Sequence, residues 1–202
     1  MLLISSSFVY INSESVNDAI SSTVESRNAN ETPLVGLAEE EFWPVLRVSF
    51  PAKPFPNSQL GVLFEGNNSA QQYISEMSGG DSQLTTTIVG ETWASPYSES
   101  HWGKDSETER DTGADSGGAR QLAREAIIST FQDQDISQWD LDGDFVVDRL
   151  LILHSGQAQE EGGPSTSIWS HFSAFYEPVA VGKYTFEHYT CLLYTSDAAD
   201  DC

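Results

Sequence analysis

The chain has 202 residues, 39% of them hydrophobic and 11% aromatic, which predicts one folded domain and excludes disorder along the whole length. It carries 31 acidic against 9 basic residues, a formal net charge of -22, so we expect neither nucleic acid nor an anionic membrane surface as a partner. Three explanations of this acidity stay open: bound cations, a high-salt habitat and a solubilising surface.

Both ends of the chain are predicted to lie outside the folded domain. Residues 1–41 are mostly polar, and we interpret them as a flexible N-terminal segment or pro-segment remnant ahead of a domain that spans residues 42–190. Residues 191–202 contain the only two cysteines, Cys191 and Cys202, and resemble a translated sequencing adapter, so we expect the natural sequence to end near Thr190. Without this tail the chain has no cysteine, which excludes a disulfide framework.

Strand-like and helix-like segments alternate between residues 42 and 190. Residues 45–50 form a β-rich run closed by prolines, and residues 68–77 predict a helix with Tyr73, Ile74 and Met77 on one face. The later elements are a strand over 84–89, a polar loop over 90–116, a helix over 117–131, an aliphatic strand over 146–153 and a strand over 179–186. The second helix has an apolar stripe made of Leu122, Ala123, Ala126, Ile127 and Phe131. This order predicts an α/β (α+β) domain, a twisted mixed sheet with two main helices.

The strongest local signal is an acidic loop just before the aliphatic strand. Its carboxylates are Asp140, Asp142, Asp144 and Asp148. Alternate carboxylates in a tight turn can point inward together, and hard oxygen ligands at this density favour Ca²⁺ over Zn²⁺. The match to an EF-hand is incomplete, because Phe145 replaces the usual glycine and Leu151 the bidentate glutamate. The alternative is an ordinary solvated turn in an acidic protein.

A second group of polar residues follows the aliphatic strand. His154, Glu160 and His171 suggest a metal site or an acid–base set, but their spacing matches no short zinc motif, and a histidine that ends a buried strand is more often structural. Ser155 lacks the flanking glycines of a nucleophile elbow. His101 and His188 have no partner at zinc-binding spacing, so we expect both to be ordinary loop or surface residues.

These blocks together resemble the immune inhibitor A type of secreted zinc metallopeptidase. The resemblance covers residues 43–187 and is densest from Asp140 to the Ile-Trp-Ser-His block that ends at His171. It implies the N-terminal part of a zincin-like or metzincin-like peptidase domain, an extracellular setting, protein or peptide substrates, and calcium at the acidic loop.

That family carries a His-Glu-x-x-His helix shortly after the Trp-Ser-His block, with two zinc ligands and a glutamate that polarises water. The motif is absent from these 202 residues, so no catalytic or zinc residue can be assigned to any position. We therefore expect a scaffold cut off before its catalytic helix and inactive by itself. The rival hypothesis is a calcium-dependent extracellular binding module with Trp93, Tyr97 and Trp102 as a ligand platform.

Overall fold

The computed structural model describes residues 36–56, 60–113 and 117–194. The predicted flexible segment lies outside these residues up to position 35, and so does the predicted adapter tail from position 195 onward. Residues 191–193 lie in the last strand, and Tyr194 is buried against the core. The interpretation of the two ends stays a prediction.

The chain forms a mixed α+β domain around one six-stranded sheet, which confirms the predicted α/β class. The strands are β1 (Glu40–Ser49), β2 (Gln83–Ile88), β3 (Trp93–Ala94), β4 (Leu151–His154), β5 (His171–Val181) and β6 (Tyr184–Leu193). The helices are α1 (Gly61–Phe64), α2 (Ala70–Met77), α3 (Glu99–Trp102) and α4 (Gly118–Phe131), with 3-10 turns at Ser137–Trp139 and Gln159–Glu161. As predicted, two helices in the described part of the chain are longer than a single turn.

The sheet order is β2-β1-β4-β6-β5, with the short β3 also paired to β1. All pairings are parallel except that of β5 with β6, which is antiparallel. The central strands β1 and β4 pair in parallel with their neighbours and contribute side chains to apolar clusters on both faces of the sheet, as parallel strands covered on both sides do. The antiparallel hairpin forms one edge, and β5 is its outer strand.

Strand β4 separates two apolar clusters, as its unbroken aliphatic run predicted. Ile152 belongs to the larger cluster, on the face that helix α4 covers, while Leu151 and Leu153 belong to the smaller cluster beneath α1. Successive residues of a strand point to opposite faces, so a strand covered on both sides must be apolar at every position. The predicted stripe of α4 is confirmed, since all five of its residues are buried.

Several predicted elements differ from the structure. Strand β1 begins at Glu40, before the predicted run over 45–50 and two residues before the predicted start of the domain, and the predicted polar loop over 90–116 contains β3 and α3. The predicted strand over 146–153 begins only at Leu151, because the preceding amides bond to separate partners: Val147 to the Thr185 carbonyl and Asp148 to the Trp139 carbonyl. The predicted strand over 179–186 is instead a hairpin that turns at Gly182, where φ is 62°. Only a glycine takes up such a left-handed turn without steric cost.

A further difference concerns α2. Its limits agree with the prediction, and Ser69 caps it by accepting the Gln72 amide at 3.3 Å. Its predicted apolar face is wrong, however, because Ile74 is buried whereas Tyr73 and Met77 are 61% and 64% exposed. The helix packs against β2 at the margin of the sheet, so it buries only a narrow line of side chains.

Candidate functional site

The acidic loop before β4 brings three carboxylates together. Asp140, Asp142 and Asp148 each offer an oxygen, and these oxygens all lie within 4.8 Å of one another. Within the described part of the chain, no other group of three or more histidine, cysteine or acidic residues is placed to hold a metal ion. Asp144 is not part of this group, and its Oδ1 accepts the Val146 amide at 2.8 Å.

Backbone amides organise the loop around Asp140. Its Oδ1 accepts the amides of Gly143 at 2.8 Å and Asp144 at 3.0 Å, and its Oδ2 accepts that of Phe145 at 3.1 Å. Asp148 closes the loop by accepting the Leu141 amide at 2.6 Å, and burial raises the pKa of this carboxyl above its usual value. The nearby carboxylates of Asp142 and Asp144 raise it further. A bound cation would remove this like-charge repulsion.

Phe145 stands where an EF-hand has glycine, and it adopts the backbone conformation that such a glycine would take. Its φ is 69°, in the left-handed region that ordinary residues avoid. The Phe145 carbonyl accepts the Thr185 amide at 2.9 Å, and Lys183 lies 4.6 Å from the centre of the phenyl ring. Contacts with the β5–β6 hairpin therefore hold the loop in a strained shape.

His154 ends β4 and is fully buried. Its Nδ1 accepts the Gly156 amide at 3.3 Å, while its Nε2 is buried with no hydrogen-bond partner among the described residues. Burial lowers the pKa of His154 to about 4, so the ring is neutral at pH 7. The hydroxyl of Ser155 donates to the Lys53 carbonyl at 2.6 Å and not to a histidine, which is not the arrangement of an activated nucleophile.

Glu160 and His171, the other members of the sequence-predicted set, have their own partners. Glu160 accepts the Ser170 amide at 3.1 Å, and the Nε2 of His171 lies 3.0 Å from the Tyr189 hydroxyl. The three residues are not among those whose donor atoms converge within metal-binding distance. Of the remaining histidines, His101 stacks on Tyr97 and His188 stacks on Phe172.

The aromatic residues of loop 90–116 do not make an exposed platform. Trp102 is 1% exposed and donates its indole N–H to Ser95 at 2.9 Å. Trp93 is partly buried against the main core, and only Tyr97 is exposed. These rings mainly close the edge of the core, so they do not support the binding-module hypothesis.

Sequence reasoning missed a buried carboxylate in that loop. Glu99, at the start of α3, is 4% exposed and pairs with the Lys53 ammonium at 2.7 Å. Its Oε1 also accepts the amides of Gln157 at 2.9 Å and Ile168 at 3.4 Å. It thus joins three segments at the C-terminal end of β4. No local pattern marks Glu99, because its partners are far away in the chain.

The described residues do not fit a catalytic zinc ion. Zinc in peptidases is bound by histidine nitrogens together with a carboxylate, whereas the one converging group here consists of three carboxylates. We therefore assign no step of peptide hydrolysis to these residues. In the part of the chain that the structure describes, no helix is both long and apolar enough to cross a bilayer.

No curated protein matches this sequence. A family model does match, over residues 54–190, and its description is the catalytic domain of the immune inhibitor A peptidase M6 family. The matched range holds the acidic loop, strand β4 and the Trp-Ser-His block, which are the segments in which the resemblance is densest. The match covers more than half of the chain, so the chain belongs to the immune inhibitor A peptidase M6 family.

Proposed function

We propose that this chain supplies the sheet and helix scaffold of a secreted zinc-dependent metalloendopeptidase, with protein or peptide substrates. The family match over residues 54–190 carries the proposal. The zinc ligands would come from a His-Glu-x-x-His segment that these 202 residues do not contain, so the chain by itself is expected not to cleave peptides.

Sequencing of the source DNA beyond the codon for Thr190 tests the first half of this proposal. A continuing frame that encodes His-Glu-x-x-His within a few tens of residues would support the peptidase. A continuation without that motif would instead favour a binding module.

Activity measurements test the second half. The 202-residue chain is expected to bind no stoichiometric zinc and to leave a fluorogenic peptide library intact. The chain extended through the motif should bind one zinc ion and cleave peptides, and a zinc chelator should abolish the cleavage. Zinc-dependent cleavage by the short chain would contradict the scaffold role, and an inactive extended chain would contradict the peptidase.

We further propose that the acidic loop binds calcium and thereby stiffens the scaffold. Three oxygens within 4.8 Å of one another suit a hard cation, and without one the partly buried Asp148 carboxylate faces like charges. The loop joins the 3-10 turn at Ser137–Trp139 to β4 and is hydrogen-bonded to the β5–β6 hairpin, so a bound ion would hold these three segments of the fold together.

Thermal unfolding with and without calcium tests this site. Millimolar calcium should raise the melting temperature, because an ion that binds only the folded state stabilises it by mass action. Asp142→Asn should remove the rise, because it takes away one carboxylate of the group at an exposed position. The Asp142 Oδ1 also accepts the Asp144 amide at 3.2 Å, and an asparagine oxygen can still accept that bond. Asp144→Asn is the matched control and should keep most of the rise. An equal rise in wild type and Asp142→Asn would refute the site.

A further inference from the structure

A cleft of about 610 Å3 lies between the loop at residues 109–112, the start of α4 and the start of β5. Asp111 and His171 line it, and Tyr189 of β6 lies at its wall. None of these residues belongs to the acidic loop. The cleft therefore holds a second set of titratable groups, for which neither the family match nor the proposed function gives a role.

The backbone around Asp111 is tightly constrained. Asp111 has a φ of 53°, in the left-handed region, and its carbonyl accepts the Ala119 amide at the start of α4 at 2.9 Å. Gly118 lies so close to that carbonyl that any Cβ at position 118 would collide with it. Residues in such strained backbone conformations, held by close packing, cluster at active sites, ligand-binding positions and conformational switches.

This backbone places the Asp111 carboxyl inside the protein. The side chain is only 9% exposed, and both carboxyl oxygens accept the Trp169 amide, at 3.2 and 3.3 Å. Oδ2 lies 3.8 Å from Nδ1 of His171. That ring nitrogen is 2.6 Å from the Trp169 carbonyl, so it carries a proton and donates to this carbonyl. The imidazole therefore gives the Asp111 carboxyl no strong second hydrogen bond.

The charged groups around Asp111 are mainly acidic. Asp105 accepts the Asp111 amide at 3.0 Å from within the same loop, and Glu160 approaches from the 3-10 turn after β4. Arg110 opposes them weakly, because its guanidinium stacks over the Trp169 ring. Other titratable groups near Asp111 or His171 among the described residues are Arg120 of α4, His154 of β4, and Tyr189 and Cys191 of β6.

We propose that Asp111 is a pH-sensitive latch that holds loop 104–113 on the start of β5 while its carboxyl is protonated and loosens the loop when the carboxyl ionises. The protonated form is neutral and fits the buried site. The ionised form adds a third negative charge beside Asp105 and Glu160, where burial weakens solvent screening. Loosening would open the cleft along Trp169, Ser170 and His171, which lead into the outer strand of the sheet.

The expected pH range follows from the pKa of Asp111. Burial raises it from 3.8 to about 7, with Asp105 and Glu160 adding to the rise and the Trp169 amide opposing it. Between these two values the folded state keeps a proton that the unfolded state has lost, so stability falls as pH rises from about 4 to 7. The lowered pKa values of His154 and His171 act in the opposite direction below pH 6.5.

The comparison of wild type with Asp111→Asn isolates this latch. Asparagine keeps the shape and tolerates the left-handed backbone, but it cannot ionise. From pH 5 to pH 8 the folding equilibrium constant of wild type should fall at least about tenfold relative to Asp111→Asn. Identical pH profiles would refute the latch.

Hydrogen exchange distinguishes local opening from a global effect. In wild type the amides of Gly113, Ala119 and Trp169 should lose protection as the pH rises from about 5 to 7, after correction for the intrinsic exchange rate. Their opening free energy should be smaller than that of the Val89 amide, which donates to the Val45 carbonyl and reports global unfolding. Asp111→Asn should abolish the local loss. Asp105→Asn, which removes one repelling charge, should reduce it and serves as the test if Asp111→Asn does not fold. Unchanged local protection in wild type would overturn the proposal.

Discussion

A buried ion pair fixes the beginning of the sheet, and its removal gives the sharpest test of the fold. Glu41 in β1 is fully buried, and its carboxylate accepts Nε of Arg149 at 3.1 Å and Nη2 at 3.3 Å. The Ala38 amide and the Trp43 indole also donate to it, at 2.8 and 2.7 Å. Arg149 directly follows the acidic loop, so the pair joins the first strand to the candidate calcium site.

The two partners should respond unequally to mutation. Arg149→Met leaves a fully buried carboxylate with two of its donors, and an unpaired buried charge costs about 3–5 kcal/mol. The two N–H groups that still donate to the carboxylate keep the expected loss of stability near the low end of this range, at about 3 kcal/mol. Such a loss lowers the melting temperature by about 6–12 °C for a domain of this size. Glu41→Gln leaves the Arg149 guanidinium, which is 18% exposed and still donates to the Gly36 carbonyl. This variant should therefore lose only about 1–2 kcal/mol of stability.

Urea unfolding followed by tryptophan fluorescence measures both losses, and the double variant completes a thermodynamic cycle. The double variant Glu41→Gln with Arg149→Met should be more stable than the sum of the two single losses predicts, because the neutral amide no longer needs a cation. A loss below about 1 kcal/mol for Arg149→Met, or strictly additive losses, would refute the assigned importance of the pair.

Two further predictions concern single backbone positions. Phe145→Gly should be more stable than Phe145→Ala by about 1 kcal/mol in urea unfolding, because both lose the ring but only glycine relieves the φ of 69°; the reverse order would show that the loop is not strained. Gly156→Ala should cost more than about 2 kcal/mol, because its methyl group would collide with the buried Glu99 carboxylate. Gly61→Ala is the matched control, since nothing lies within 4 Å of its Cβ position, and it should be neutral or slightly stabilising; equal effects at both positions would contradict the packing at Glu99.

Strong periodic patterns were read correctly from the sequence. The stripe of α4 and the aliphatic run of β4 are buried as expected. A helix covered on one side has apolar residues along that side, and a strand covered on both sides is apolar at every position, so both patterns can be seen in the sequence. The position of α2 followed from its helix formers and its serine cap, whereas the exposure of Tyr73 did not. Which face of a short helix is covered depends on its neighbours, and a helix at the margin of the sheet has few.

Hydrogen bonding across the fold moved the strand limits. The run over 146–150 has strand-like residues, but its amides donate to carbonyls in two different segments, those of Thr185 and Trp139, and do not form a regular ladder with one neighbouring strand. The register of β5 is irregular between Ala174 and Val179, and this stretch contains Pro178, which has no amide to donate. A proline in a strand indicates an edge position, yet the sequence alone did not show which edge.

The sequence by itself determined the fold class, the family and the acidic loop, because these depend on residues that lie close together in the chain. Only the tertiary structure brought Glu99 to Lys53, Glu41 to Arg149 and Asp111 to His171. These partners are separated by dozens of residues, and a carboxylate carries no local sign that it will be buried. Its environment is set when the sheet closes over it, so the titratable groups of the cleft become visible only in the folded chain.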